Sequence, residues 1–131
     1  MARILQKLYF VSYVVDPLLY RVVVCELVSL SIDHGYDPPS SPEGFIQYAL
    51  ILCGVEDIDN GYKAGKLAEQ LVQRFGPEAI TCAATVGCIF NGAVSVWVEP
   101  LRNTLKPLLD AYQVGENTGN WMFSTLSLSF Y

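Results

Sequence analysis

The sequence predicts an all-α fold of about seven helices arranged as about three antiparallel αα-hairpin units, and three observations carry that expectation. Apolar residues recur at threes and fours between proline and glycine breaks. Those breaks hold the residues that start and stop helices. Helix ends at Gly35, Gly76 and Gly115 return at about 40 residues, a period within the range of helix-turn-helix solenoid repeats.

The expected helices span 2–15, 17–34, 41–54, 57–75, 77–97, 99–116 and 120–131, joined by connections of a few residues that force neighbours to run antiparallel. Asp16 before Pro17 reads as an N-cap followed by proline at the first helical position. Ser40, Ser41, Pro42 and Glu43 offer a serine cap with a capping-box glutamate. Gly35, Gly76, Gly115 and Gly119 follow apolar-periodic stretches as left-handed C-terminal caps do, and Pro77 and Pro100 stand where the next helices begin. The clearest period is Ile58, Tyr62, Gly65, Ala68, Val72, Phe75, with Lys63, Lys66, Glu69, Gln70 and Arg74 on the other side. Leu101, Leu105, Leu108 and Tyr112 repeat it, and Pro107 within that stretch predicts a kink or a restart. A strand reading draws on Val94, Val96 and Val98, but no hairpin turn follows them.

Composition sets the class. The 131 residues make one segment, 1–131, which is 52% hydrophobic and only 16% charged. Such a balance implies that something outside the chain covers apolar surface, as in a fragment of a larger protein. A net charge of −5, with eight Lys and Arg scattered singly, offers no basic stripe and argues against nucleic acid as a partner. Cys25, Cys53, Cys82 and Cys88 sit in apolar runs without a CxxC pair, which fits buried thiols in a reducing, cytoplasmic setting. No cleavable leader is evident before Asp16 and Pro17. The run 79–98 is free of charge for the length of a membrane span, so the alternative is a small membrane protein with one span there. Asn91, the interspersed Gly87, Gly92, Thr81, Thr85 and Ser95, and the flanking Glu78 and Glu99 favour instead a central helix buried all round.

Reactive chemistry finds little support. His34, the single histidine, stands at a helix C-terminus where it complements the dipole. Glu56, Asp57 and Asp59 lack the ligand spacing of a calcium loop and suit a helix N-terminus. Phosphate-loop, nucleophile-elbow and zinc-helix motifs do not occur. No catalytic, cofactor-binding or metal-ligating residue is therefore assigned, and no enzyme activity or cofactor is expected. Trp97, Trp121 and the tyrosines read as packing residues, with an aromatic-lined peptide groove as their functional alternative.

Three strings, LSIDHGYDPPS (30–40), YALILCGVEDIDNGYKAGKLAEQLVQRF (48–75) and FNGAVSVWVEPLRNTLKPLLDAYQVGENTGN (90–120), resemble the tetratricopeptide-like helical-repeat region of large hybrid signalling kinases. In that family a serine/threonine kinase domain and an AAA-type ATPase precede the repeats, and GAF and histidine-kinase modules follow. The resemblance covers nearly the whole chain. Its most specific positions are Gly54, Asp57, Asp59, Gly61 and Tyr62, then Asn91, Trp97 and Pro100, then Tyr112, Gly115 and Gly119, all packing and turn signatures. The chain departs from the family at Ala64, where a Phe is usual, and at Ser95, Val96 and Val98, where a His with basic neighbours is usual. The resemblance implies a right-handed solenoid fragment that is a non-catalytic scaffold. Its expected contacts are the adjacent domains of a parent kinase or a regulatory protein, with the ATP site and phospho-acceptor outside this chain. The apolar first and last helices, lacking the polar faces of capping repeats, add an expectation of self-association.

Overall fold

The computed structural model describes residues 2–38 and 40–131, so Pro39 of the 30–40 string lies outside it. All regular structure among these residues is helical, as the period predicts. The α-helices are α1 (Ala2–Val15), α2 (Pro17–His34), α3 (Ser40–Gly54), α4 (Ile58–Phe75), α5 (Ile80–Ile89), α6 (Arg102–Thr118) and α7 (Trp121–Phe130). A 3-10 turn at Gly76–Ala79 leads into α5, and a π turn at Phe90–Val94 with a 3-10 turn at Ser95–Trp97 leads out of it.

A single residue, Asp16, separates α1 from α2. Its extended backbone (φ −151°) and its carboxylate, which accepts from the Leu18 N–H at 3.0 Å, set the N-cap ahead of Pro17. The two helices then close over Tyr9, Tyr20, Val23 and Val24. At the start of α3 the expected capping box gives way to contacts with α1. Ser40 Oγ donates to Gln6 Oε1 (3.2 Å), and Gln6 Nε2 donates to Glu43 (2.8 Å). Ser41 supplies the local link instead, accepting from the Asp37 N–H at 2.8 Å and donating to Ser31 Oγ at 2.9 Å.

The turn from α3 to α4 falls two residues beyond Gly54. The Asp57 N–H reaches the Leu52 carbonyl (2.9 Å) and the Glu56 N–H the Cys53 carbonyl (3.1 Å), the pair of bonds that defines a Schellman end. The left-handed position of that motif is held by Glu56 (φ 68°). Beyond it Asp57 caps α4, accepting from the Asn60 N–H at 3.4 Å and from Asn60 Nδ2 at 3.0 Å. Along α4, Gly61 and Gly65 allow close approach. A Cβ on Gly61 would lie 2.7 Å from Cys53 Sγ, and one on Gly65 would lie 2.7 Å from the Phe90 ring.

The expected helix 77–97 is broken into three kinds of turn. Asn91 Nδ2 donates to the Gly87 carbonyl at 2.9 Å, competing with the backbone for an acceptor of the helical ladder. Insertion of a side chain there loosens the register, and the Ser95 N–H bonds the Phe90 carbonyl, five residues back. The expected helix 99–116 also shifts. Pro107 lies inside an uninterrupted α6, where its missing bond falls close to the helix start. Gly119, in the left-handed conformation (φ 77°), ends α6 in place of Gly115, whose carbonyl accepts from the Asn120 N–H at 2.9 Å. Gly115 serves contact instead, since a Cβ there would lie 2.7 Å from Ser124 Cβ.

The main core joins Phe45, Ile46 and Ala49 of α3, Ala68 and Leu71 of α4, Val86 and Ile89 of α5, and Phe90, Val94 and Phe123. One helical run, Ile58–Trp97, is long and apolar enough to cross a membrane by length and composition, and 61% of its apolar window is buried against other helices. Apolar side chains remain exposed on α1, α2 and α7, among them Val11, Leu18, Val22 and Trp121.

Two stability predictions follow from these turns. Glu56→Gly removes the steric cost of a left-handed non-glycine residue and is expected to raise unfolding free energy by about 1 kcal/mol, read as an upward shift of the urea midpoint. Ser95 is fully buried and its hydroxyl has no hydrogen-bond partner. Ser95→Ala is therefore expected to stabilise by about 1 kcal/mol by removing an unpaid desolvation, and a loss of stability in the same titration contradicts that.

Candidate functional site

The odd-numbered helices touch in series, α1 with α3, α3 with α5, and α5 with α7. Together they line a groove of about 180 Å³. Tyr9, Phe10 and Tyr13 form its α1 wall, Leu50 and Ile89 its floor, and Met122 and Leu126 its α7 wall. Gln47 is the one amide among the lining residues. An apolar trough with a single polar anchor suits an apolar side chain of a peptide or a neighbouring helix, not a charged small molecule.

A buried polar layer lies under the α1 wall. Tyr20 donates its hydroxyl to Gln47 Oε1 at 2.6 Å, and Gln6 links Ser40 and Glu43 to α1. Burial lifts both Tyr9 and Tyr20 above the ordinary phenol value, and at Tyr9 the negative charge of Glu43 adds to the effect. Burial likewise raises the Glu43 carboxyl, a shift that the bond from Gln6 partly offsets. Cys82, whose thiol donates to the Ala79 carbonyl at 3.1 Å, is pushed up to about 12 by burial, with Glu43 adding to it. The phenols of Tyr9 and Tyr20 and the thiol of Cys82 stay protonated near pH 7, so they hold helices together and offer no thiolate or phenolate.

The positions singled out in the sequence do not gather in this groove. Gly54 ends α3, Asp57 and Asp59 lie at the cap and first turn of α4, and Gly61 meets Cys53. Tyr62 donates its hydroxyl to Glu99 at 2.8 Å and stacks at a tilt on Phe90, ring centroids 5.8 Å apart. Lys66 lies 5.1 Å from the Phe90 centroid and 3.5 Å from Glu69. Asn91 belongs to the π turn, and Trp97, 65% exposed, donates to the Ala93 carbonyl at 3.1 Å. Pro100 precedes α6, the Tyr112 carbonyl accepts from Ser124 Oγ, and Gly115 and Gly119 shape the α6–α7 corner. Next to that corner, Asn120 Nδ2 donates to Thr85 Oγ1 at 3.0 Å, tying it to α5. The groove residues were hidden in the sequence because they come from four helices far apart along the chain. Their only shared signal is an apolar position on every second helix.

Among the described residues no three His, Cys, Asp or Glu side chains come together in a way that could hold a metal ion. The four cysteines are free thiols. No family model, curated protein or solved structure matches this chain.

The Glu43 shift fixes a sign for pH dependence. A carboxyl raised in the folded state favours its protonated form, so its contribution to stability is fully present below the unfolded value of 4.5. That contribution declines as pH rises above 4.5 towards the folded pKa. Glu43→Gln keeps an oxygen acceptor for Gln6 and carries no charge. It is expected to flatten the fall of the thermal midpoint as pH rises above 4.5, measured by circular dichroism melts from that pH upward. An unchanged slope contradicts the assignment.

Proposed function

We propose that this chain is a non-catalytic helical-repeat scaffold that mediates inter-domain or protein–protein contact, in the manner of a tetratricopeptide-like solenoid within a signal-transduction kinase. In this reading α1/α2, α3/α4 and α5/α6 are three αα-hairpin units in a right-handed stack, and α7 begins a further turn. The observation that carries it is the serial contact of α1, α3, α5 and α7 around one apolar groove. In αα repeats the first helix of each unit forms the inner layer, and that layer is the usual binding surface. The partner is an adjacent domain of the parent or a regulatory protein, which presents an apolar side chain to the groove. A cytoplasmic setting suits four free thiols. The membrane alternative is weaker, because most of the apolar window within Ile58–Trp97 is already covered by other helices.

Peptide display against the purified chain tests this reading, with Leu50→Asp and Leu126→Asp as groove variants. The expected result is a set of peptides with apolar anchors whose affinity drops about tenfold or more on either variant, the loss typical of an anchor pocket. Peptides that bind both variants as well as the parent chain would remove the groove from consideration.

A further inference from the structure

The outward face of α2 carries a second regular pattern. Leu18, Val22, Cys25, Ser29 and Ile32 follow one another at alternating steps of four and three and are all exposed, Leu18 at 70% and Val22 and Ile32 at 64%. The residues of α2 that pack inward are different ones, among them Tyr20, Val24, Leu27 and Ser31. Alternating steps of four and three are the a and d positions of a coiled-coil seam. With Val22 and Ser29 at a, and Leu18, Cys25 and Ile32 at d, Arg21 falls at g and Glu26 at e. Both charged residues are exposed, and neither has an ion-pair partner among the described residues.

We propose that α2 pairs in parallel with α2 of a second copy of this chain, forming a two-fold symmetric dimer. The charges choose the direction. In a parallel pair each g residue faces the e residue five positions on in the other helix, so Arg21 meets Glu26 of the partner subunit, and symmetry repeats the pair. An antiparallel pair sets g against g and e against e, and leaves both charges without a counterpart. Ser29 supplies one polar a position, a device that fixes register and favours a defined two-stranded state at some loss of stability.

The neighbouring α1 exposes Ile4, Leu8, Val11 and Val15 at the same spacing, further apolar surface of the kind a second copy covers. The inference rests on this face alone and does not depend on the scaffold reading or on the groove.

Sedimentation and light scattering of the 131-residue chain, with charge-swapped variants, test the pairing. The unaltered chain is expected to dimerise in the micromolar range. Arg21→Glu or Glu26→Arg alone sets like charges across the seam and is expected to weaken the dimer by about tenfold, while the double swap restores it. Both residues are exposed, so neither substitution threatens folding. Cys25, the one cysteine fully on the surface, reports direction. In a parallel seam it faces Cys25 of the partner subunit, and oxidised glutathione takes two electrons and two protons from the two thiols. The products are one interchain disulfide and two reduced glutathione molecules. The cross-linked dimer is expected in non-reducing electrophoresis and absent from Cys25→Ser. A monomer at every concentration, charge swaps without effect, or no Cys25 cross-link each overturns the parallel pairing.

Discussion

The approach of α4 to its neighbours governs much of the remaining arrangement. Gly61 and Gly65 lie one helical turn apart on the same face. The first lets the backbone of α4 come down on Cys53 and the Ala49 carbonyl of α3, and the second admits the Phe90 ring and Val94. One helix is thereby held along a single face, against α3 near its start and against the π turn one helical turn further on. The largest fully buried side chain, Phe90, occupies the space that a Cβ at position 65 would take. With α3, α4 and the π turn locked at that distance, α5 is placed by the chain itself; α6 and α7 are hung from it through the Gly87–Ala111 contact and the Asn120–Thr85 bond, and Gly115 and Ser124 join the two to each other.

The N-terminal pair is held by different means. Few large aliphatic groups of α1 point inward, and its attachment to α3 runs through Gln6, Ser40 and Glu43 and through the Tyr9–Tyr20–Gln47 layer. Hydrogen-bonded polar contacts demand a defined geometry, whereas apolar packing tolerates small shifts. The chain thus joins a rigid, close-packed centre to an N-terminal pair positioned by polar bonds. The apolar residues of α1 and α2 that do not point inward form the exposed face of that pair.

Much of this was legible in the sequence wherever one residue type has one local job. Asp16 with Pro17 marks the α1–α2 break, Gly76 ends α4, and the apolar period of α4 names its buried face. Legibility ends where a residue is used by a distant helix. Ser40 and Glu43 look like a capping box at their own helix but serve Gln6, 34 and 37 residues earlier. Gly115 and Gly119 both look like left-handed helix stops, yet only Gly119 takes that conformation and Glu56 takes another that no glycine marks, and no spacing rule distinguishes a glycine needed for φ from one needed for contact. The apolar run 79–98 conceals its π turn because the competing Asn91 amide is visible only once its partner carbonyl is known. The groove is less legible still, since periodicity can say that Phe10, Leu50, Ile89 and Met122 are apolar but not that four helices bring them together.

The π turn at Phe90–Val94 amounts to one extra residue threaded into what would otherwise be a continuous α-helix. Each residue of an α-helix turns the chain by about 100° and advances it by about 1.5 Å. Taking one residue out of this segment would therefore swing everything beyond it by more than a quarter turn. Trp97, Glu99 and the start of α6 would leave their present azimuth, and the bond between Tyr62 and Glu99 would lose its alignment. The wide turn thus works as a phase adjuster between the first and second halves of the molecule. At this place the count of residues sets the orientation of Trp97 and Glu99 relative to α5.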